Sequence, residues 1–199
     1  MNRKHANAIK YIAKVAILTA AAVIIMLFEF PLPFTPPFYK IDLSEVVVFI
    51  GGFALGPGAA VLIELLKNLL NLLLDGTTTA FVGEAANFIT GCVLVVPAAL
   101  IYRGRKSLKS AILGMVIGTV SLAVVGSLLN YFVLIPTYVE MYKMPLEAIL
   151  DMASAVNGAV TDLKSMIVFA VAPFNLVKGL LCSILAALLY KRVSGILHR

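Results

Sequence analysis

Residues 29–44 read EFPLPFTPPFYKIDLS. Pro31, Pro33, Pro36 and Pro37 stand here among Phe30, Phe34, Phe38 and Tyr39, between two apolar runs. Proline lacks an amide hydrogen and fixes φ, so this stretch is not helix interior. The residue before each proline is pushed towards extended backbone as well. The segment is therefore a stiff connector whose apolar side chains need something to cover. Two readings stand level on the loop alone: a lid over a cavity, or a headgroup-level connector anchored by Phe and Tyr.

Working outward, the flanking runs decide the fold class. The 199-residue chain is 61% hydrophobic and only 13% charged, with a mean hydropathy of +1.02. A soluble domain carries about a quarter charged residues. The composition predicts an all-α integral membrane protein: one six-helix bundle, a single domain over 1–199. Spans are expected at 8–28, 43–55, 59–74, 81–102, 111–131 and 167–190, against about 20 residues needed to cross a bilayer. The first run is too long for a signal-peptide core and lacks an A-x-A site. Cys92 and Cys182 both sit inside apolar runs and read as small core residues, not a disulfide or metal pair.

The second run is short, and charge supports it as a span. With six spans, both termini and the 103–109 loop share a side that holds eleven of the sixteen cations: Arg3, Lys4, Lys10, Lys14, Arg103, Arg105, Lys106, Lys109, Lys191, Arg192 and Arg199. The positive-inside rule makes that side cytoplasmic. The net charge of +6 thus reflects membrane topology and gives no reason to expect nucleic acid. The proline loop, the 75–80 turn and the 136–165 segment, with an amphipathic helix near 145–156, then face outside.

Ionisable residues at membrane depth are costly and tend to be functional. Glu64, Lys67, Asn68, Asn71 and Asp75 form a stripe at helical spacing on the third span. Glu64 and Lys67 are three apart and read as a self-neutralised pair on one helix. Glu84 and Asn87 open the fourth span, Asn130 ends the fifth, and Asn175 and Lys178 share a face of the sixth. Each alone reads as interhelical glue. Together they lie at similar depth beneath the proline loop and outline a pocket. It offers amides, one carboxylate and one ammonium, and it lacks an arginine cluster for phosphate. A flat, neutral, partly apolar molecule with a hydrogen-bonding edge suits it. No phosphate-binding G-x-x-x-x-G-K-[ST] loop is present, and His5 and His198 lie at the ends. The chain is expected to be no enzyme, to hold no metal, and to borrow energy from elsewhere. Ala16 and Ala20 form a small-xxx-small pair on the first helix, suited to internal packing or to a partner helix.

These features resemble the S components of energy-coupling factor (ECF) vitamin transporters, in particular the flavin-binding branch. The resemblance spans residues 8–192. It rests on the six-span plan, the alanine pair, the proline loop ending in YKIDLS (39–44), Gly56-Pro57-Gly58, GEAAN (83–87), the 130–138 stretch and NLVKG (175–179). Thiamine-binding S components use tryptophan prominently, and this chain has none. The resemblance implies a multi-pass protein of a prokaryotic cytoplasmic membrane that captures riboflavin, or its phosphate FMN, from outside. It implies docking through helix 1, at Ala16 and Ala20, on a membrane T component carrying two cytoplasmic ATPases. It further implies that Asn130, Asn175 and Lys178, with Gly179, address the ring edge, and that Glu84 and Asn87 lie nearby. Leu32, Phe34, Thr35 and Tyr39 would close the lid. Asp42 stays open between a lid role and a cap on the second helix. The competing reading is an ion- or proton-coupled transporter that uses Glu64 and Lys67.

Overall fold

The computed structural model describes residues 3–33, 35–77 and 79–197, with side chains described from His5 to Tyr190. Phe34, one of the expected lid residues, lies outside the described residues. So do the side chains of Arg3, Lys4, Lys191, Arg192, His198 and Arg199.

The helices run α1 (Arg3–Met26), α2 (Glu45–Leu55), α3 (Pro57–Asp75), α4 (Val82–Gly104), α5 (Leu108–Leu129), α6 (Ile135–Tyr142), α7 (Leu146–Ser154), α8 (Leu163–Met166) and α9 (Ala172–Leu197). π-helical turns at Asn130–Leu134 and Ile167–Val171 fuse α5 to α6 and α8 to α9. Five stretches are long and apolar enough to cross a membrane: His5–Met26, Pro57–Asp75, Val82–Gly104, Leu108–Tyr142 and Leu163–Tyr190. Large apolar side chains line their outer surfaces, with Leu73 78% and Ile17 69% exposed. In water such a surface would drive aggregation; against lipid it is solvated.

The helix α2 has only 11 residues, roughly 16 Å at 1.5 Å per residue. It is apolar all round, and Val46, Val47, Val48, Phe49 and Phe53 are all buried. A helix of that composition belongs inside a bundle. Gly56 ends it at φ 98°, a left-handed conformation that suits glycine, and Pro57 opens α3 at once. The core around α2 takes in Val15 and Ala22 of α1, Ile63 of α3, Leu94, Val95 and Tyr102 of α4, Met115 and Leu122 of α5, and Ala186 of α9.

The closest helix pairing comes from small residues. A Cβ added at Gly114 would lie 2.6 Å from the Ala98 α-carbon, and one at Gly118 would strike the Leu94 carbonyl. These glycines, four apart on α5, let its backbone lie directly on that of α4.

Two expectations change. The fifth span does not end at 131: the helix continues through a π turn to Tyr142. Pro136 is tolerated because it follows a turn where the regular ladder is already interrupted, so its missing N–H breaks no regular bond. The proline loop is more ordered than a bare connector. Its ends form an antiparallel ladder of β1 (Phe30–Pro31) and β2 (Lys40–Ile41), pairing Phe30 with Ile41 and Pro31 with Lys40. An ion pair of Lys40 with Glu29 closes its base. The expected amphipathic helix near 145–156 is α7. Its Ile149 and Ala153 join Ile135, Val160, Met166 and Ala170 in a second apolar cluster at the same end as the hairpin.

Candidate functional site

The hairpin reaches the bundle through Tyr39. Its ring packs 5.3 Å from that of Phe174 at the start of α9 and also lies against the second apolar cluster. Its hydroxyl donates to Asn130 Oδ1 at 2.6 Å. Burial, with Tyr138 nearby, raises the Tyr39 phenol above its ordinary pKa, which keeps the O–H available to donate. Thr35 is buried, and both its N–H and its hydroxyl donate to the carbonyl of Leu32, which is half-buried. The prolines hold this turn open only one way, so the aromatic side chain is presented with little conformational freedom left to lose.

Asn130 and Asn175 are alike in setting. Asn130 opens the first π turn, and its Nδ2 donates to the Gly126 carbonyl at 2.8 Å. Asn175 follows the second π turn, and its Nδ2 donates to the Val171 carbonyl at 3.1 Å. Both are buried, at 8% and 7% exposure. π turns inside helices recur at functional sites. An amide has two donors and one acceptor, so in each case one N–H is spent on fixing the orientation of the group.

Lys178 lies one turn beyond Asn175. Its ammonium meets Asp42 Oδ2 at 3.1 Å. Asp42 in turn accepts from the Ser44 N–H at 3.0 Å and from the Ser44 hydroxyl. It is therefore a counter-ion to α9 as well as an acceptor at the start of α2, where Ser44 holds the N-cap position. Burial alone would raise the Asp42 carboxyl, but Lys178, Lys67 and the Ser44 hydrogen bond hold it well below the usual carboxylate range.

The stripe on α3 is not self-neutralised as its spacing suggests. Lys67 does meet Glu64, at 2.8 Å, but it also meets Glu45 at 2.9 Å and the Ser44 hydroxyl at 3.0 Å. Glu45, Glu64 and Lys67 are each 0% exposed. Glu64 Oε1 also accepts from Asn68, and Asn68 Oδ1 accepts from Asn87 at 2.9 Å. A continuous polar path thus runs from Lys178 through Asp42, Ser44, Lys67, Glu64 and Asn68 to Asn87. It joins two ends of the expected site across α9, α2, α3 and α4.

Of the remaining expected residues, Glu84 is half-buried and accepts from the Thr79 hydroxyl at 2.7 Å. Gly179 faces α5: a Cβ there would lie 2.8 Å from Thr119 Cγ2. Its contact is helix packing. Ala16 and Ala20 are both exposed, about 100° round α1 from the buried Val15 and Thr19 that precede them. Asn71 and Asp75 turn away from the polar path. They line a hollow of about 350 Å³ beside the hairpin with Met26, Leu27, Glu29 and Lys40. A second hollow, of about 380 Å³, lies at the opposite end, around Gly56–Ala59, Arg103 and Lys106.

Sequence reasoning missed Ser44, Glu45, Phe174 and Gly126. An acid at the start of a helix reads as a favourable charge on the helix dipole. The signal that Glu45 does more is its neighbourhood, DLSE at 42–45, ahead of an unusually short apolar run.

The chain matches the family model described as "ECF transporter, substrate-specific component" over residues 10–190. It is 37% identical over 190 residues to "Riboflavin transporter RibU" of Staphylococcus aureus (strain TCH60), covering 96% of this chain and 93% of that one. It is 31% identical over 183 residues to "Riboflavin transporter FmnP" of Bacillus subtilis (strain 168), covering 92% and 90%. The fold superimposes on the S component of a bacterial ECF transporter with a TM-score of 0.73 and 34% identity, over 96% of this chain and 98% of that one. With the helical plan, the hairpin and the buried asparagines in place, the chain belongs to the substrate-specific components of ECF transporters.

Proposed function

We propose that this multi-pass membrane protein captures riboflavin from outside the cell and delivers it to the energising part of an ECF transporter. It is a binding component, not an enzyme. The observation that carries the reading is the convergence, under the hairpin, of Tyr39, Asn130, Phe174, Asn175 and Lys178 from three separate stretches of chain. The pyrimidine edge of a flavin alternates acceptors with a donor, and paired amides complement that edge. The relatives named as riboflavin transporters support the same ligand. Leu32, Thr35 and Tyr39 form the lid, and Glu84 and Asn87 stand near the ring or ribityl groups. The single ammonium in the site is already matched by Asp42, so riboflavin is preferred to FMN, whose phosphate asks for more positive charge.

The described residues form one membrane domain of six spans, α2 crossing as a short inner helix, with α1 starting and α9 ending on the cytoplasmic side of a prokaryotic cytoplasmic membrane. The outward Ala16 and Ala20 form the face that meets a T component, which carries two ATPases. Use of Glu64 and Lys67 for ion coupling is not favoured, because Lys67 is already bridged between two buried carboxylates. The test is spectroscopic. Protein purified from flavin-rich cells should be yellow, with a flavin absorption spectrum and riboflavin as the extracted compound. Colourless protein that stays colourless after incubation with riboflavin would count against the reading.

A further inference from the structure

We infer that Gly126 is a positioning residue that aligns both asparagine amides for recognition of the flavin ring edge; the inference rests on the riboflavin reading above. Gly126 lies on α5, one turn before Asn130. Its carbonyl accepts the Asn130 amide at 2.8 Å. Its α-carbon faces α9, where a Cβ would lie 2.7 Å from Asn175 Nδ2, 3.0 Å from its Cγ and 3.2 Å from its Oδ1. One backbone position thus sets both amides: Asn130 through its oxygen, Asn175 through the side chain it lacks.

The contrast with the other α5 glycines gives the role its specificity. Gly114 and Gly118 meet backbone atoms of α4, so a side chain there would force two helices apart. At Gly126 the three nearest atoms all belong to the Asn175 amide. That amide is the far end of a rotatable side chain, held in place by its bond to the Val171 carbonyl. A methyl group at 126 therefore displaces the amide before it displaces the helix. Displacement breaks the alignment with the Val171 carbonyl and takes the remaining donor and acceptor away from a ring edge they would share with Asn130. Because an amide recognises by geometry, a site so altered loses selectivity together with affinity.

The experiment compares Gly126→Ala with the unaltered protein against two ligands, riboflavin and 3-methylriboflavin, which lacks the ring-edge N–H. The unaltered protein should bind riboflavin at least tenfold more tightly than the methylated analogue. In Gly126→Ala, riboflavin affinity should fall tenfold or more and the preference should shrink towards one. Equal weakening of both ligands, with the preference intact, overturns the inference and leaves the riboflavin reading standing. Failure of the unaltered protein to bind riboflavin overturns the reading and the inference together. Gly126→Ala/Asn175→Ala gives a second arm if the single variant is unstable, since removing the amide restores the space. Its melting temperature should match that of Asn175→Ala alone. If Gly126→Ala lowers the melting temperature as much in the Asn175→Ala background as by itself, the collision is not with the amide and the inference is wrong.

Discussion

The Lys178 ammonium lies 3.1 Å from Asp42 Oδ2, although 136 residues separate the two in sequence. This contact ties the end of the hairpin to the second turn of α9, and both side chains are largely buried, at 10% and 8% exposure. It places the ammonium expected to face a ligand under the control of the segment expected to cover it.

Asp42→Asn removes one partner of a buried pair and leaves Lys178 uncompensated, which costs about 3–5 kcal/mol. Melting temperature in detergent should fall, and Asp42→Asn/Lys178→Met should recover part of the loss. The pH dependence has a defined sign. The folded Asp42 carboxyl is held below its unfolded value of about 3.9, so its contribution is present above that pH and is lost as pH falls below it. Ligand affinity should therefore be insensitive to Asp42 between pH 7 and 5. A titration with an Asp42-dependent midpoint in that window would contradict the assignment.

Tyr39→Phe keeps the ring against Phe174 and deletes the hydrogen bond to Asn130. Leaving a buried acceptor without its donor costs about 1–3 kcal/mol, or roughly fivefold to more than a hundredfold in dissociation constant. Tyr39→Leu should do worse, because the ring contact goes too. Fluorescence titration of both variants checks the order.

The ordered proline segment and the polar face of α9 were legible in the sequence because prolines and ammoniums are rare in apolar spans and stand out where they occur. The cross-element contacts were not. Glu45 looks like an ordinary first-turn acid until α3 is packed against it, when it becomes the second carboxylate on Lys67. The π turns leave no periodic signature, so the extension of α5 past Pro136 could not be read. Nothing local separates Gly126 from Gly114 and Gly118; only the helix that each one faces does so.

Lys67→Met should act on stability before recognition. It strips the only ammonium among the described residues within bonding distance of Glu45 and Glu64, both with 0% exposure, and a broken buried ion pair of this kind costs about 3–5 kcal/mol. Glu64→Gln should be milder, because the amide oxygen can still accept from Asn68. Thermal unfolding in detergent distinguishes the two. An unchanged melting temperature in Lys67→Met would remove the polar path from the account.

Ala16→Leu and Ala20→Leu add bulk on the outward face of α1, away from the core. Ligand binding should be unchanged, while co-purification with a T component and cellular uptake are lost. Parallel loss of ligand binding would mean that this face packs internally.

The central claim is that the isolated chain binds riboflavin through the group under the hairpin. Its most direct test is a titration of flavin fluorescence by purified protein in detergent, run on the unaltered chain and on folded Asn175→Ala and Lys178→Ala. The account predicts saturable quenching at one flavin per chain, weakened roughly fivefold to more than a hundredfold by either substitution. Absence of saturable quenching in the unaltered protein, or undiminished binding in both variants, would contradict it.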